Sequence, residues 1–217
     1  MTKPITYAYL ETTNYCNLQC SFCNRHEVIG ALQHMPVSKF RKMLEGLKHH
    51  PIEEAKLMGM GEPMLHPQFD EICKTFKEFF PDAFLIVATN CQYPVKPHTK
   101  MGIKFQNCMK YIDLLYFSID GYKESYERDR APAKWSKLIS FLDNFQYMDR
   151  SNCRVTCNYV VNPQNVYDIP LINERIVKQY NLEELRLNIA QDWSADKSMP
   201  GGYSEKDLLY LKNNWKD

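Results

Sequence analysis

The chain has 217 residues, with 27 Lys+Arg against 26 Asp+Glu and a formal net charge of +1. That length fits one α/β domain of roughly 200–250 residues, with about 70% of its surface buried and no need for disulfide staples. A hydrophobic fraction of 44%, a charged fraction of 24% and only 8 glycines exclude disorder, collagen and coiled coil, and the balanced charge offers no footprint for nucleic acid or an anionic membrane.

β-branched and aromatic residues predict a first strand over 5–11 that runs straight into a cysteine loop. A helix is expected over 38–49, with Ser38 as N-cap and Phe40, Met43, Leu44 and Leu47 as its buried stripe. A short apolar strand over 55–58 ends in the turn Gly59-Met60-Gly61-Glu62-Pro63, and a helix over 68–80 stops at Pro81. Residues 84–89 read as a third strand, continuously apolar as for a strand covered on both faces. The segment 91–107 holds Pro94 and Pro97, with a short helix toward its end. A fourth strand over 112–119 precedes a long helix over 135–148. A fifth strand over 154–161, a helix over 167–179, a sixth strand over 185–189 and a helix over 204–213 complete the pattern.

Six strand–helix units in alternation argue for a parallel sheet with helical crossovers. An open doubly wound sheet and a barrel both fit, but a complete eight-unit barrel takes about 250 residues, so a barrel here is a partial one. The chain reads as a single domain over 1–217, with a core over 5–190 and an extension over 191–217. In either architecture the chemistry belongs at the carboxyl ends of the strands, where the strand-to-helix loops converge. The longest apolar run, 84–88, is far short of the roughly 18 residues a membrane span needs. Residues 1–12 lack the layout of a secretory signal, so a soluble, cytoplasmic protein is expected.

Eight cysteines are more than such a chain needs for disulfides, which makes metal or redox chemistry the first question. Three of them, Cys16, Cys20 and Cys23, fall on the loop after the first strand. A structural zinc site wants four closed ligands, typically in paired knuckles, and no second knuckle is present. Inert buried thiols are the bland alternative, but polar Asn17, Gln19 and Asn24 flank these three. An iron–sulfur cluster is the third reading. With three protein ligands such a cluster keeps one iron open, the mark of a catalytic metal.

The spacing C-x3-C-x2-C, with Phe22 just before the last cysteine, resembles the radical S-adenosylmethionine (SAM) superfamily. The resemblance implies a partial (β/α)6 barrel and a [4Fe–4S] cluster on Cys16, Cys20 and Cys23, with SAM on the open iron. It also implies reductive cleavage of SAM to methionine and a 5′-deoxyadenosyl radical that takes a hydrogen atom from the substrate. Four further places agree with it. Gly59, Met60, Gly61, Glu62 and Pro63 stand where the family carries a G-G-E-P-type motif for the SAM amino group, with Met60 replacing the first glycine of the tetrad. Thr89-Asn90 is similar to the family's T-N pair, although Cys91 replaces the glycine that commonly follows. Ser118-Ile119-Asp120-Gly121 resembles the S-x-D-G segment that helps hold SAM. Arg130, with Arg128 as the fallback, stands at the distance of the arginine that pairs with the SAM carboxylate. Asn158 on the fifth strand is a weaker adenosine contact. An ordinary Gly-Pro turn, a solvated arginine and a polar lumen residue are the competing readings at these positions.

Nothing after Cys157 is cysteine, so the auxiliary-cluster domain that many relatives append is not expected. Cys73, Cys108, Cys153 and Cys157 read as core or surface thiols, and Cys91 as a strand-end thiol close to the site. Tyr7, Tyr9, Glu11, His26, Arg186, Asn188, Gln191 and Asp192 are expected to line the barrel mouth, and 193–203 to fold over its open side. The core most resembles the branch of the molybdopterin-precursor synthases and the SPASM and Twitch enzymes. The resemblance does not reach the substrate; a small molecule (a sugar, nucleoside or amino-acid derivative) is the first choice, with an electron donor such as flavodoxin or ferredoxin and neither nucleic acid nor membrane as partner. Modification of a ribosomally made peptide, activation of a glycyl-radical enzyme, and a non-catalytic metal-binding regulatory module are the alternatives.

Overall fold

The computed structural model describes residues 3–190 and 202–215. Strands form where β-branched and aromatic residues recur: β1 (Ile5–Tyr9), β2 (Ile52–Lys56), β3 (Phe84–Thr89), β4 (Leu114–Ser118), β5 (Arg154–Val161) and β6 (Leu185–Ile189). They lie side by side in chain order and every pair is parallel. The order never reverses, so there is no topological switch point and the doubly wound alternative falls away. The sheet curls into a partial (β/α)6 barrel.

The crossovers are α1 (Arg25–Val28), α2 (Val37–Leu47), α3 (Phe69–Phe79), α4 (Lys100–Met109), α5 (Glu124–Asp129), α6 (Trp135–Phe145) and α7 (Ile169–Ile172), with α8 (Glu205–Asn214) after the last strand. Ala55, Leu85, Val87, Leu115, Phe117, Val155 and Cys157 alternate onto the convex face and are buried in the main core. Phe117, Phe105 and Phe145 meet Phe141 or each other edge to face, with centroids 4.9–5.6 Å apart for the pairs 117–141, 117–145 and 105–141. The intervening residues face the concave side. Ile86, Leu114 and Tyr116 form a small apolar floor there, with Phe84 and Ala88 against it.

The structure moves several sequence boundaries. β2 starts at Ile52 rather than 55, because Ile52 pairs with Ile5, and it ends at Lys56. Ser38 is not a cap: α2 begins at Val37 behind Pro36, and Ser38 sits inside the first turn. The six-residue α5 is an addition, too short to show a periodic stripe. The helix expected over 167–179 is broken into a 3₁₀ turn (Val166–Asp168), α7 and a π turn (Asn173–Lys178). α8 starts in a capping box, with Ser204 and Asp207 each accepting from the other's backbone N–H. Among the described residues no helix is long and apolar enough to cross a membrane.

Candidate functional site

β1 ends at Tyr9 and releases the chain into the cysteine loop at the carboxyl end of the sheet. Cys16, Cys20 and Cys23 are free, half-buried thiols on this one loop. Backbone bonds pin the loop on several sides. Gln19 N donates to Ala131 O at 2.6 Å, Ser21 N to Asp129 O at 2.9 Å, and Cys23 N to Cys20 O at 3.0 Å. Two side-chain donors lie against the sulfurs, with Asn90 Nδ2 at 3.9 Å from Cys16 Sγ and Arg130 Nη1 at 4.0 Å from Cys20 Sγ. Burial pushes the Cys16 thiol up and Cys20 up to about 12, with the backbone N–H of Leu18 opposing at Cys16 and the Arg130 guanidinium at Cys20. Among the described residues no three His, Cys, Asp or Glu side chains close on a single-ion position. The donor set suits a thiolate-held cluster: three unpaired, partly accessible sulfurs on a backbone held from outside, with donors beside two of them.

The turn after β2 is built against this loop. A Cβ on Gly61 would lie 2.3 Å from Thr13 O and 2.8 Å from Tyr15 O, so only glycine lets the two backbones meet. Glu62 N donates to Tyr15 O at 2.6 Å. Gly59 makes room in the same way for Glu11, whose Oε1 accepts from Met60 N at 2.6 Å. Glu62 is 3% exposed and turned inward. Its Oε1 accepts from Thr89 Oγ1 at 2.7 Å and Met64 N at 3.1 Å, and its Oε2 from Asn90 N at 2.7 Å. Burial outweighs these bonds and lifts the Glu62 carboxyl to about 7. The glutamate thus cross-links the ends of β2 and β3.

Asn90 completes the brace. Its Nδ2 donates to Asn17 Oδ1 at 2.8 Å, and Asn17 Nδ2 reaches Gln92 O at 2.9 Å. At the end of β4, Asp120 is fully buried. It accepts from Arg130 Nε and Nη2 at 2.5 Å and from Val160 N at 2.6 Å. Burial drives the Asp120 carboxyl upward, and the Arg130 guanidinium opposes that rise. The Arg130 guanidinium also lies 5.6 Å from the centre of the Phe22 ring. Of the two candidate arginines, Arg130 is the one against the cysteine loop, whereas Arg128 is largely exposed and pairs with Asp129 at 2.7 Å. Ser118 stands in register with Asn158, and Asn158 Oδ1 accepts from Asn188 Nδ2 at 2.8 Å.

Cys73, Cys108, Cys153 and Cys157 are buried in the main core, as expected of structural thiols. Cys91 is fully buried there too, with a left-handed φ of 59° and its Sγ 3.7 Å from Thr89 O, so it does not face the barrel interior. Tyr7, Tyr9, Arg186 and Asn188 occupy the concave face, Glu11 braces the Gly59 turn, and His26 is exposed on α1. Gln191 and Asp192, with most of 193–203, lie outside the described residues. Sequence reasoning missed Asn17, Gln92 and Asp129, which hold the loop from outside. Asn17 sits between two of the cysteines, and that position was the only signal available.

The family model of the Radical SAM superfamily matches residues 10–172. Enzymes of that superfamily use a [4Fe–4S] cluster with SAM for radical chemistry. Among curated proteins, the chain is 30% identical over 121 residues to the tungsten-containing aldehyde ferredoxin oxidoreductase cofactor-modifying protein of Pyrococcus furiosus, covering 52% of this chain and 30% of that protein. It is 27% identical over 75 residues to the GTP 3′,8-cyclase of Chlorobaculum tepidum, covering 35% and 22%. These cyclases belong to the branch its motifs resemble. The chain spans less than a third of either relative's length. In fold it is similar to Streptococcus suis SuiB bound to S-adenosylmethionine, with a TM-score of 0.73 at 16% identity, over 97% of this chain and 46% of that one. It is also similar to anSMEcpe with bound AdoMet, with a TM-score of 0.70 at 18% identity, over 97% and 58%.

Proposed function

This chain belongs to the radical SAM superfamily, and from that premise we propose that Cys16, Cys20 and Cys23 hold a [4Fe–4S] cluster whose open iron takes SAM. The observation that carries the reading is the braced loop: three free thiols, with Asn90 and Arg130 donors beside two of the sulfurs and the Gly61–Glu62 backbone seated on Thr13 and Tyr15. When bound, the cluster supplies the electron that splits SAM into methionine and a 5′-deoxyadenosyl radical. The chain's own residues position and shield. The Gly59–Pro63 turn presents backbone acceptors to the SAM amino group. Arg130, fixed by Asp120, offers Nη1 to the carboxylate. Ser118 and Asn158 face the adenosyl side from β4 and β5. Phe22 lies against the Arg130 guanidinium and helps hold it beside the loop.

We read 5–190 as the SAM-cleaving core of one domain and a small molecule as the substrate, with a flavodoxin- or ferredoxin-type donor as the reductant. Eight free thiols fit the reducing cytoplasm. Anaerobic reconstitution tests the reading. About four irons per chain are expected, with 5′-deoxyadenosine released on adding SAM and dithionite. Stoichiometric zinc, or a cluster that never cleaves SAM, would refute it and favour a regulatory metal module.

A further inference from the structure

The concave face of the barrel carries charged and polar groups that the cysteine-loop machinery leaves unused. Lys56 at the end of β2 is 7% exposed, yet among the described residues no carboxylate pairs with its ammonium. Its neighbours are phenols. Nζ donates to Tyr9 Oη at 3.4 Å and lies 4.5 Å from the centre of the Tyr7 ring and 5.2 Å from that of Tyr9. Burial alone would weaken its hold on the proton, but the bonds to Tyr7 and Tyr9 outweigh it, so the side chain stays charged. The Glu54 carboxylate on the same face bonds Tyr7 rather than Nζ, so this ammonium is withdrawn from water without a direct ion pair, and an arriving anion offsets that cost.

Two other observations on the same face point to a ligand. Among the described residues the fully buried Thr156 hydroxyl has no hydrogen-bond partner, and neither has the buried Oε1 of Glu54, whose carboxylate otherwise meets the Tyr7 hydroxyl. Native interiors seldom leave such groups unmatched. Across the floor, Arg186 of β6 donates to Tyr116 Oη at 2.6 Å, again with no carboxylate partner among the described residues. The register fixes all of them on one side of the sheet. Tyr7 pairs with Glu54, Tyr9 with Lys56 and Lys56 with Ile86; Tyr116 pairs with Thr156, and Asn158 with Arg186. An apolar floor is thus flanked by a cation on each side, with two oxygens, Thr156 Oγ1 and Glu54 Oε1, left unpartnered among the described residues.

We propose that this face seats the substrate and that the substrate is a small anion. Its carboxylate or phosphate group lies against Lys56 and Arg186, and its hydroxyl or amino groups meet Thr156 and Glu54. The inference rests on the radical SAM reading, which puts the reacting chemistry at the carboxyl ends of the same strands. Phenyl phosphate, benzoate and neutral benzyl alcohol are the probes, titrated by calorimetry into the full chain both as isolated without cluster and after reconstitution with SAM. One of the two anions is expected to bind at least roughly tenfold more tightly than the alcohol, and which anion it is separates phosphate from carboxylate. Lys56→Met should weaken that anion about tenfold while Lys56→Arg largely restores it, and Arg186→Gln, a change at an exposed position, should weaken it severalfold. Lys137→Met, on the outer surface of α6, should change nothing. Equal binding of the neutral probe, no anion binding at millimolar concentration, or unchanged affinity in both Lys56→Met and Arg186→Gln would overturn the site. The titration needs no turnover. Absence of deoxyadenosine would therefore count against the radical reading alone, and loss of the variant contrast against the anion site alone.

Discussion

Gly61→Ala is the sharpest small perturbation of the site. The added methyl would sit 2.3 Å from Thr13 O and 2.8 Å from Tyr15 O, where ordinary contacts begin at 3.4 Å. The Thr13–Tyr15 backbone must therefore retreat by about 1 Å, and overpacking of that kind costs about 1–3 kcal/mol. The same retreat stretches the 2.6 Å bond from Glu62 N to Tyr15 O out of range, a further loss of about 1 kcal/mol. The sum, about 2–4 kcal/mol, corresponds to a fall in Tm of roughly 5–15 °C for a chain of this size. Gly46→Ala is the matched control. It lies inside α2 with nothing within 4 Å of its Cβ position and should gain about 0.5–1 kcal/mol. Thermal melts of the cluster-free chain read both changes, and iron content after reconstitution reads the loop. The loop moved in Gly61→Ala carries Cys16, so that variant should load less iron. A Gly61→Ala protein that melts and loads iron like wild type would refute the packing argument.

Three other outcomes are expected. Glu62, held at about 7 in the fold against an ordinary 4.5, keeps a proton that the unfolded chain has already lost between those values. Cluster-free wild type should therefore lose stability as pH rises through that window, and Glu62→Gln should show a flatter profile in urea midpoints taken at about pH 5 and about pH 7.5. Asn90→Ala removes the bonds to Asn17 and Gln92 N, about 2 kcal/mol in all. A chelator should strip iron from it faster than from wild type, with SAM cleavage falling in parallel. Cys73→Ala should cost about 1–2 kcal/mol in urea denaturation as a core deletion, yet leave iron per chain unchanged.

Spacing carried much of this in the sequence. The three cysteines are local in the chain, and so are the glycine turn after β2 and the continuously apolar β3. Each could be read because its physical cause lies within a few residues. The parts missed depend on distant partners. The Asn17–Asn90 bond joins residues 73 apart, and the Glu62 brace needs the end of β3 beside it. The late start assigned to β2 hid the pairing of Ile52 with Ile5, and with it the fact that Glu54 and Lys56 share the concave face. α5 escaped because six residues with Ser125, Tyr126 and Asp129 buried carry no apolar period. The doubly wound and barrel topologies produce the same alternation along the chain, and only the strand order in space separates them.

The central claim is a three-cysteine cluster with one iron open to SAM. Electron paramagnetic resonance of the dithionite-reduced, reconstituted chain, recorded with and without SAM, tests it most directly. A reduced [4Fe–4S] signal that changes shape when SAM is added, and that disappears in the Cys16→Ala, Cys20→Ala and Cys23→Ala variants, is the predicted result. A signal indifferent to SAM, or one that survives loss of any of these cysteines, would contradict it.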